Sequence, residues 1–140
     1  MKSVHIFLVT LCVYVTFGKS IDTKIMGGQD AKQGQFPYQV SWCIEDPPYP
    51  CCKHYCGGSI YDENTIITAA HCCDMFDFYP LNNTKIVAGE LDLITSSGFE
   101  QVRRIKDFLM HPDFDYWNIN NDICLLTLET PLELVMFNFC

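Results

Sequence analysis

No stretch of this chain carries a long 3.6-residue apolar period; the apolar residues fall instead in short β-prone runs. These runs cover residues 38–42, 58–61, 64–69, 85–93, 102–110 and 122–128. Alternating side chains along such runs point to opposite faces of a strand, so each can bury one face. Clusters of Pro, Gly, Asn and Asp at 46–50, 74–83, 96–98 and 111–121 separate them and supply the turn conformations. Hydrophobic residues make up 49% of the 140, enough for a core and, at this length, for one ordinary domain. About six short strands predict an all-β fold, a small antiparallel barrel or sandwich. There is no internal repeat and no low-complexity tract.

The N-terminus sets the expected compartment. Lys2 precedes an apolar run over 6–17, and the small residues Gly18 and Ser20 follow. That layout predicts a cleaved signal peptide over 1–18, with an apolar segment too short to span a bilayer, and hence a secreted, extracellular protein. Of the nine cysteines, Cys12 falls in this segment. The other eight, Cys43, Cys51, Cys52, Cys56, Cys72, Cys73, Cys124 and Cys140, form an even set in an exported chain. Disulfides are expected, although about 105 pairings are open. Asn82-Asn83-Thr84 is an N-glycosylation acceptor. A net charge of −8 without a basic stripe argues against nucleic acid and anionic membranes as partners.

Four motifs stand in a telling order. Ile25-Met26-Gly27-Gly28 follows Lys24, and Phe36-Pro37-Tyr38-Gln39-Val40-Ser41 comes next. Cys56-Gly57-Gly58-Ser59-Ile60 precedes Thr68-Ala69-Ala70-His71-Cys72; His111-Pro112 precedes Asn120-Asn121-Asp122-Ile123 and Leu125-Leu126. Over residues 24–134 the chain resembles the chymotrypsin/trypsin family of serine proteases. The resemblance implies a six-stranded Greek-key barrel over 25–134, the first of the family's two barrels. It also implies an activation peptide over 19–24, with cleavage between Lys24 and Ile25. His71 becomes the general base and Asp122 the carboxylate that orients it, with Cys56 and Cys72 forming a disulfide that pins the histidine loop. A serine hydroxyl is a poor nucleophile at neutral pH and needs such a base.

Residues 135–140 diverge from the family, and within the 140 residues there is no Gly-Asp-Ser-Gly-Gly segment. Ser59 follows two glycines but lacks the glycine two residues later that a nucleophile elbow requires, so it reads as structural. The expectation is therefore a trypsin-like endopeptidase zymogen present as an incomplete chain, second barrel absent and inactive as it stands. Its partners would be protein or peptide substrates and protease inhibitors, and the complete form a monomer. The alternative is a non-catalytic secreted homologue acting as a binding or decoy module. No cofactor is required. Glu90, Asp92 and Glu100 fall where trypsins often hold calcium, and a solvated acidic loop is the competing reading. Cys43, Cys51, Cys52 and Cys73 suggest an extra bridge bracing an enlarged loop, whereas Cys124 reads as a buried thiol. A zinc cluster of Cys51, Cys52, His54, Cys56, His71 and Cys72 is the third alternative.

Overall fold

The computed structural model describes residues 28–45, 53–74 and 80–134. The signal and activation segments, the Lys24–Ile25 bond, Cys51, Cys52 and the divergent tail with Cys140 lie outside the described residues. The chain divides into two units, Met1–Asp30 and Ala31–Cys140, and the second carries every element below.

Among the described residues the second unit has six strands: β1 (Gln39–Ile44), β2 (Lys53–Ile60), β3 (Thr65–Thr68), β4 (Thr84–Ala88), β5 (Gln101–Met110) and β6 (Cys124–Leu128). All pairings are antiparallel, and the order β1-β2-β3-β6-β5-β4 closes because β1 pairs with both β2 and β4. Closure removes the exposed sheet edges that an open six-stranded sheet would leave. The order is a Greek key, since β6 inserts between β3 and β5 instead of following its sequence neighbour around the barrel.

Alternation in the sequence becomes the barrel interior. On β6, Cys124, Leu126 and Leu128 are buried and Thr127 is exposed. Val40 and Trp42 of β1, Ile66 of β3, Ile86 and Ala88 of β4 and Ile105 of β5 meet them in one cluster. Strand β1 is buried on both faces from Val40 to Ile44, so its outward residues are covered as well. Gly58 of β2 sits where a Cβ would come within 2.8 Å of Ile66 Cγ2 and 3.1 Å of both Val40 Cγ2 and the Ile67 carbonyl. Glycine is what allows three strands to close over the core there.

The observed elements depart furthest from the sequence reading in three places. Strand β2 begins at Lys53, five residues ahead of the expected start at 58, because it pairs with β1 along its length, through to Ile44. Strand β4 stops at Ala88 because Gly89 turns the chain with φ of 78°. A single helical turn, α1 (Ala70–Cys73), follows β3 and was not legible as a period, being four residues long.

Candidate active site

The segment 68–73 is laid out one residue at a time. Thr68 ends β3, and its hydroxyl donates to the Gly57 carbonyl at 2.8 Å, fixing the exit of the strand against β2. Ala69 stays extended, at φ −82° and ψ 147°, and offers no side-chain cap to the helix that follows. Ala70 is fully buried, so only a small side chain fits. His71 turns outward, with its side chain 49% exposed. Cys72 and Cys73 then fasten the turn in two directions: Cys72 to Cys56 of β2 and Cys73 to Cys124 of β6.

Asp122 reaches this turn from 51 residues along the chain, just ahead of β6, which pairs with β3. The chain approaches it through 111–121, where Asp115 accepts hydrogen bonds from the Trp117 and Asn118 N–H groups and the Asn118 amide. Those bonds, the Asn118 side chain first, hold the Asp115 carboxyl below its ordinary 3.8. Ile119 and Asn121 both take positive φ, 54° and 55°. The Asn121 amide donates to the Asp113 carbonyl at 2.8 Å, and Ile123 N–H donates to the Asn121 carbonyl at 2.8 Å. These bends keep Asp122 out of the ladder, so β6 starts at Cys124 and not at 122.

The carboxylate engages His71 twice. Oδ2 lies 2.8 Å from the ring Nδ1, and Oδ1 accepts the His71 backbone N–H at 2.8 Å. Burial alone would raise the Asp122 carboxyl. The His71 N–H, the His71 ring and its charge, and the Ala70 N–H outweigh that and hold it below the ordinary 3.8. An ionised carboxylate only accepts, so Nδ1 carries the proton and Nε2 keeps a lone pair in the neutral ring. Nε2 lies 3.4 Å from Cys72 Sγ, which is in a disulfide and has no proton to give. The arrangement is a base with a fixed tautomer, half open to solvent, able to take a proton from a group brought to Nε2.

Other expected site residues fall as follows. Cys56 and Cys72 are bonded to each other, so neither offers the thiolate that a zinc ion needs, although both lie beside His71. His54 Nδ1 is 2.6 Å from the Ser41 hydroxyl. Cys124 is not a buried thiol: it is bonded to Cys73, and both cysteines are buried in the core. Cys43 is disulfide-bonded too. Ser59 lies within β2, paired opposite Gln39 and Ile67. Asn82 is exposed on a 3-10 turn, Leu81–Asn83.

Glu90, Asp92 and Glu100 share a loop, but their oxygens are engaged by the loop itself. Glu90 accepts from Leu91 N–H, Ser97 N–H and the Ser97 hydroxyl; Asp92 accepts from Ile94 N–H. Glu100 accepts from the Ser96 hydroxyl and from Gly98 N–H.

The structure thus joins a closed Greek-key barrel to an imidazole–carboxylate pair on its surface, the carboxylate partly buried. The chain belongs to the trypsin family, whose model it matches over residues 25–138. It is 43% identical over 108 residues to Trypsin-1 of Astacus astacus, covering 77% of this chain and 45% of that protein. It is 32% identical over 113 residues to Trypsin V-A of Rattus norvegicus, covering 81% and 40%. With coagulation factor IX of Cavia porcellus it shares 35% identity over 113 residues, covering 79% and 36%. The chain thus spans less than half the length of these relatives.

Proposed function

We propose that this chain supplies the base and its orienting carboxylate to a secreted, trypsin-like serine endopeptidase that is made as a zymogen and hydrolyses peptide bonds in proteins. The 2.8 Å contact between His71 Nδ1 and Asp122 Oδ2 carries the reading. In the proposed reaction His71 Nε2 takes the proton of a serine hydroxyl as it attacks the scissile carbonyl, then returns that proton to the leaving amine. Asp122 stays ionised throughout, holding the ring in one tautomer and stabilising the imidazolium. No cofactor enters these steps. Processing after residue 18, activation between Lys24 and Ile25, and a glycan on Asn82 belong to the same reading.

Among the described residues no serine is hydrogen-bonded to His71, which favours a second reading for the chain acting alone. Among the described serines, Ser41 pairs with His54, Ser96 with Glu100 and Ser97 with Glu90, while Ser59 sits in a strand. On that reading the barrel is a binding or decoy module that occupies inhibitors or substrates without cleaving them. Sequencing the transcript past Cys140 and assaying the secreted product separates the two. The enzyme reading expects downstream Gly-Asp-Ser-Gly-Gly coding and a product labelled by serine-directed phosphonates, with labelling abolished by His71→Ala. A frame stopping at Cys140 and a stable secreted protein inert to phosphonates would sink it.

A further inference from the structure

His71 rides on a helix of four residues, with no side-chain cap at Ala69. A single turn has no stability of its own, since isolated helices are marginal below about 12–15 residues. Its position is therefore set by what fastens it. The Cys56–Cys72 bridge ties it to β2 and does not reach the segment bearing Asp122. The Cys73–Cys124 bridge does reach it, and it does so in register. Cys73 is two residues after His71, Cys124 is two residues after Asp122, and bridge and hydrogen bond both span a separation of 51 residues. Both sulfurs are buried, with Cys73 1% and Cys124 0% exposed.

The segment entering Asp122 needs such an anchor. Ile119 and Asn121 hold positive φ, which costs on the order of 1–3 kcal/mol for each non-glycine residue and persists only where surrounding structure imposes it. Relaxation of either residue would swing Asp122 away from His71. Alignment of reacting groups tolerates little movement, as a shift of about 1 Å can cost 10²-fold in rate.

We propose that the Cys73–Cys124 disulfide is a positioning element for the base–carboxylate pair, holding Asp122 within hydrogen-bonding reach of His71. The inference rests on the reading of those two residues as the catalytic half-site. It assigns the bridge a task beyond tying β6 to the barrel. Loss of the bridge leaves Cys56–Cys72 holding the turn and the β-pairings of Cys124 with Thr68 and Met110 holding the strand, while the covalent link between the two sides of the pair is gone.

The test uses the isotopically labelled 140-residue chain, the Cys73→Ala/Cys124→Ala variant, and a volume-restoring Cys73→Ala/Cys124→Val variant. Three quantities are read by NMR: amide exchange at His71, the titration midpoint of the Asp122 carboxyl, and amide exchange at Ile86 and Leu126 as a measure of the barrel. The expected result is exchange at His71 faster by at least about tenfold relative to Ile86 and Leu126, with the Asp122 midpoint moved up toward its ordinary value. The Val variant restores core volume and leaves both changes in place. Unchanged His71 exchange and Asp122 midpoint would overturn the proposal. So would acceleration at all three amides by one common factor, in both variants, because the bridge would then be a general staple. None of these readings depends on proteolysis, so a failed protease assay would leave this result standing, and the reverse.

Discussion

Asp122 holds His71 by both its backbone and its ring: Oδ1 takes the N–H at the start of the helical turn and Oδ2 takes Nδ1, each at 2.8 Å. The first contact does the work of an N-cap. Ala69 stands at the capping position with no side chain to offer, and an anion at a helix N-terminus satisfies the unpaired N–H groups there. One carboxylate, 51 residues away in sequence, thus fixes both the turn and the tautomer of its histidine.

Asp122→Asn should therefore have two separable effects. The amide can still accept the His71 N–H through its oxygen, but its NH₂ can be turned toward Nδ1 and impose the wrong tautomer. In a protease assembled with its serine-bearing half, kcat should fall by about 10⁴ with little change in fold. In the 140-residue chain the downfield Nδ1–H proton resonance should disappear while the remaining spectrum persists. Retention of that resonance in the Asn variant would contradict the geometry.

Acid should release the pair late. The Asp122 carboxyl is held below its ordinary 3.8 in the folded chain, so its contribution is fully present above that value. The contribution is lost as pH falls through the depressed folded value, where the proton neutralises the acceptor of both His71 bonds. Protection of the His71 amide, followed by two-dimensional NMR from pH 6 downward, should persist below 3.8 and then collapse. A loss centred at or above 3.8 would show the bonds to be too weak to shift the carboxyl.

The barrel was legible because its strands alternate and its turns carry glycine, proline and asparagine; Leu126 and Leu128 can be placed inside from pattern alone. The family motifs placed His71 and Asp122, which no local period could have paired across 51 residues. What escaped the sequence was non-local. A turn of four residues has no period to detect, so α1 went unseen. Cys124 looked like a thiol because its apolar strand neighbours explain burial equally well. The one clue to its partner was the spacing shared by Cys73–Cys124 and His71–Asp122. Glu90 and Glu100 read by position as either calcium ligands or a solvated acidic loop, and the donors that the structure adds are the serines between them, Ser96 and Ser97.

Gly58→Ala tests the packing that closes the barrel beside the site. The new methyl would sit 2.8 Å from Ile66 Cγ2 and 3.1 Å from the Ile67 carbonyl, and backbone cannot yield as a flexible side chain can. Overpacking of this kind costs about 1–3 kcal/mol, which should lower the urea midpoint of the disulfide-intact chain without changing the slope. Gly57→Ala is the control, since its Cβ would meet only the Gln39 side-chain amide, at 3.2 Å. Equal midpoints for the two variants would refute the assignment of Gly58 to the close approach.

Calcium should leave this chain's stability unchanged. A ligand that binds only the folded state raises stability by RT ln(1 + [L]/Kd), so even a weak site shows as a melting temperature that climbs with concentration. To form such a site here, an ion would have to displace Ser97 N–H and hydroxyl from Glu90 and Gly98 N–H from Glu100. It would also have to gather Asp92, whose Oδ1 is occupied by Ile94 N–H. The Ser96 hydroxyl is the leading cause that already holds the Glu100 carboxyl below its ordinary 4.5, a role that a cation would otherwise fill. Thermal unfolding with millimolar calcium and with a chelator should coincide. Replacing Ser97 with Asp removes the hydroxyl donor and adds a carboxylate, so that variant should gain a calcium-dependent rise. A rise already present in the unmodified chain would mean that the loop opens to the ion, and the self-satisfied arrangement of Glu90 and Glu100 would not be its resting state in calcium.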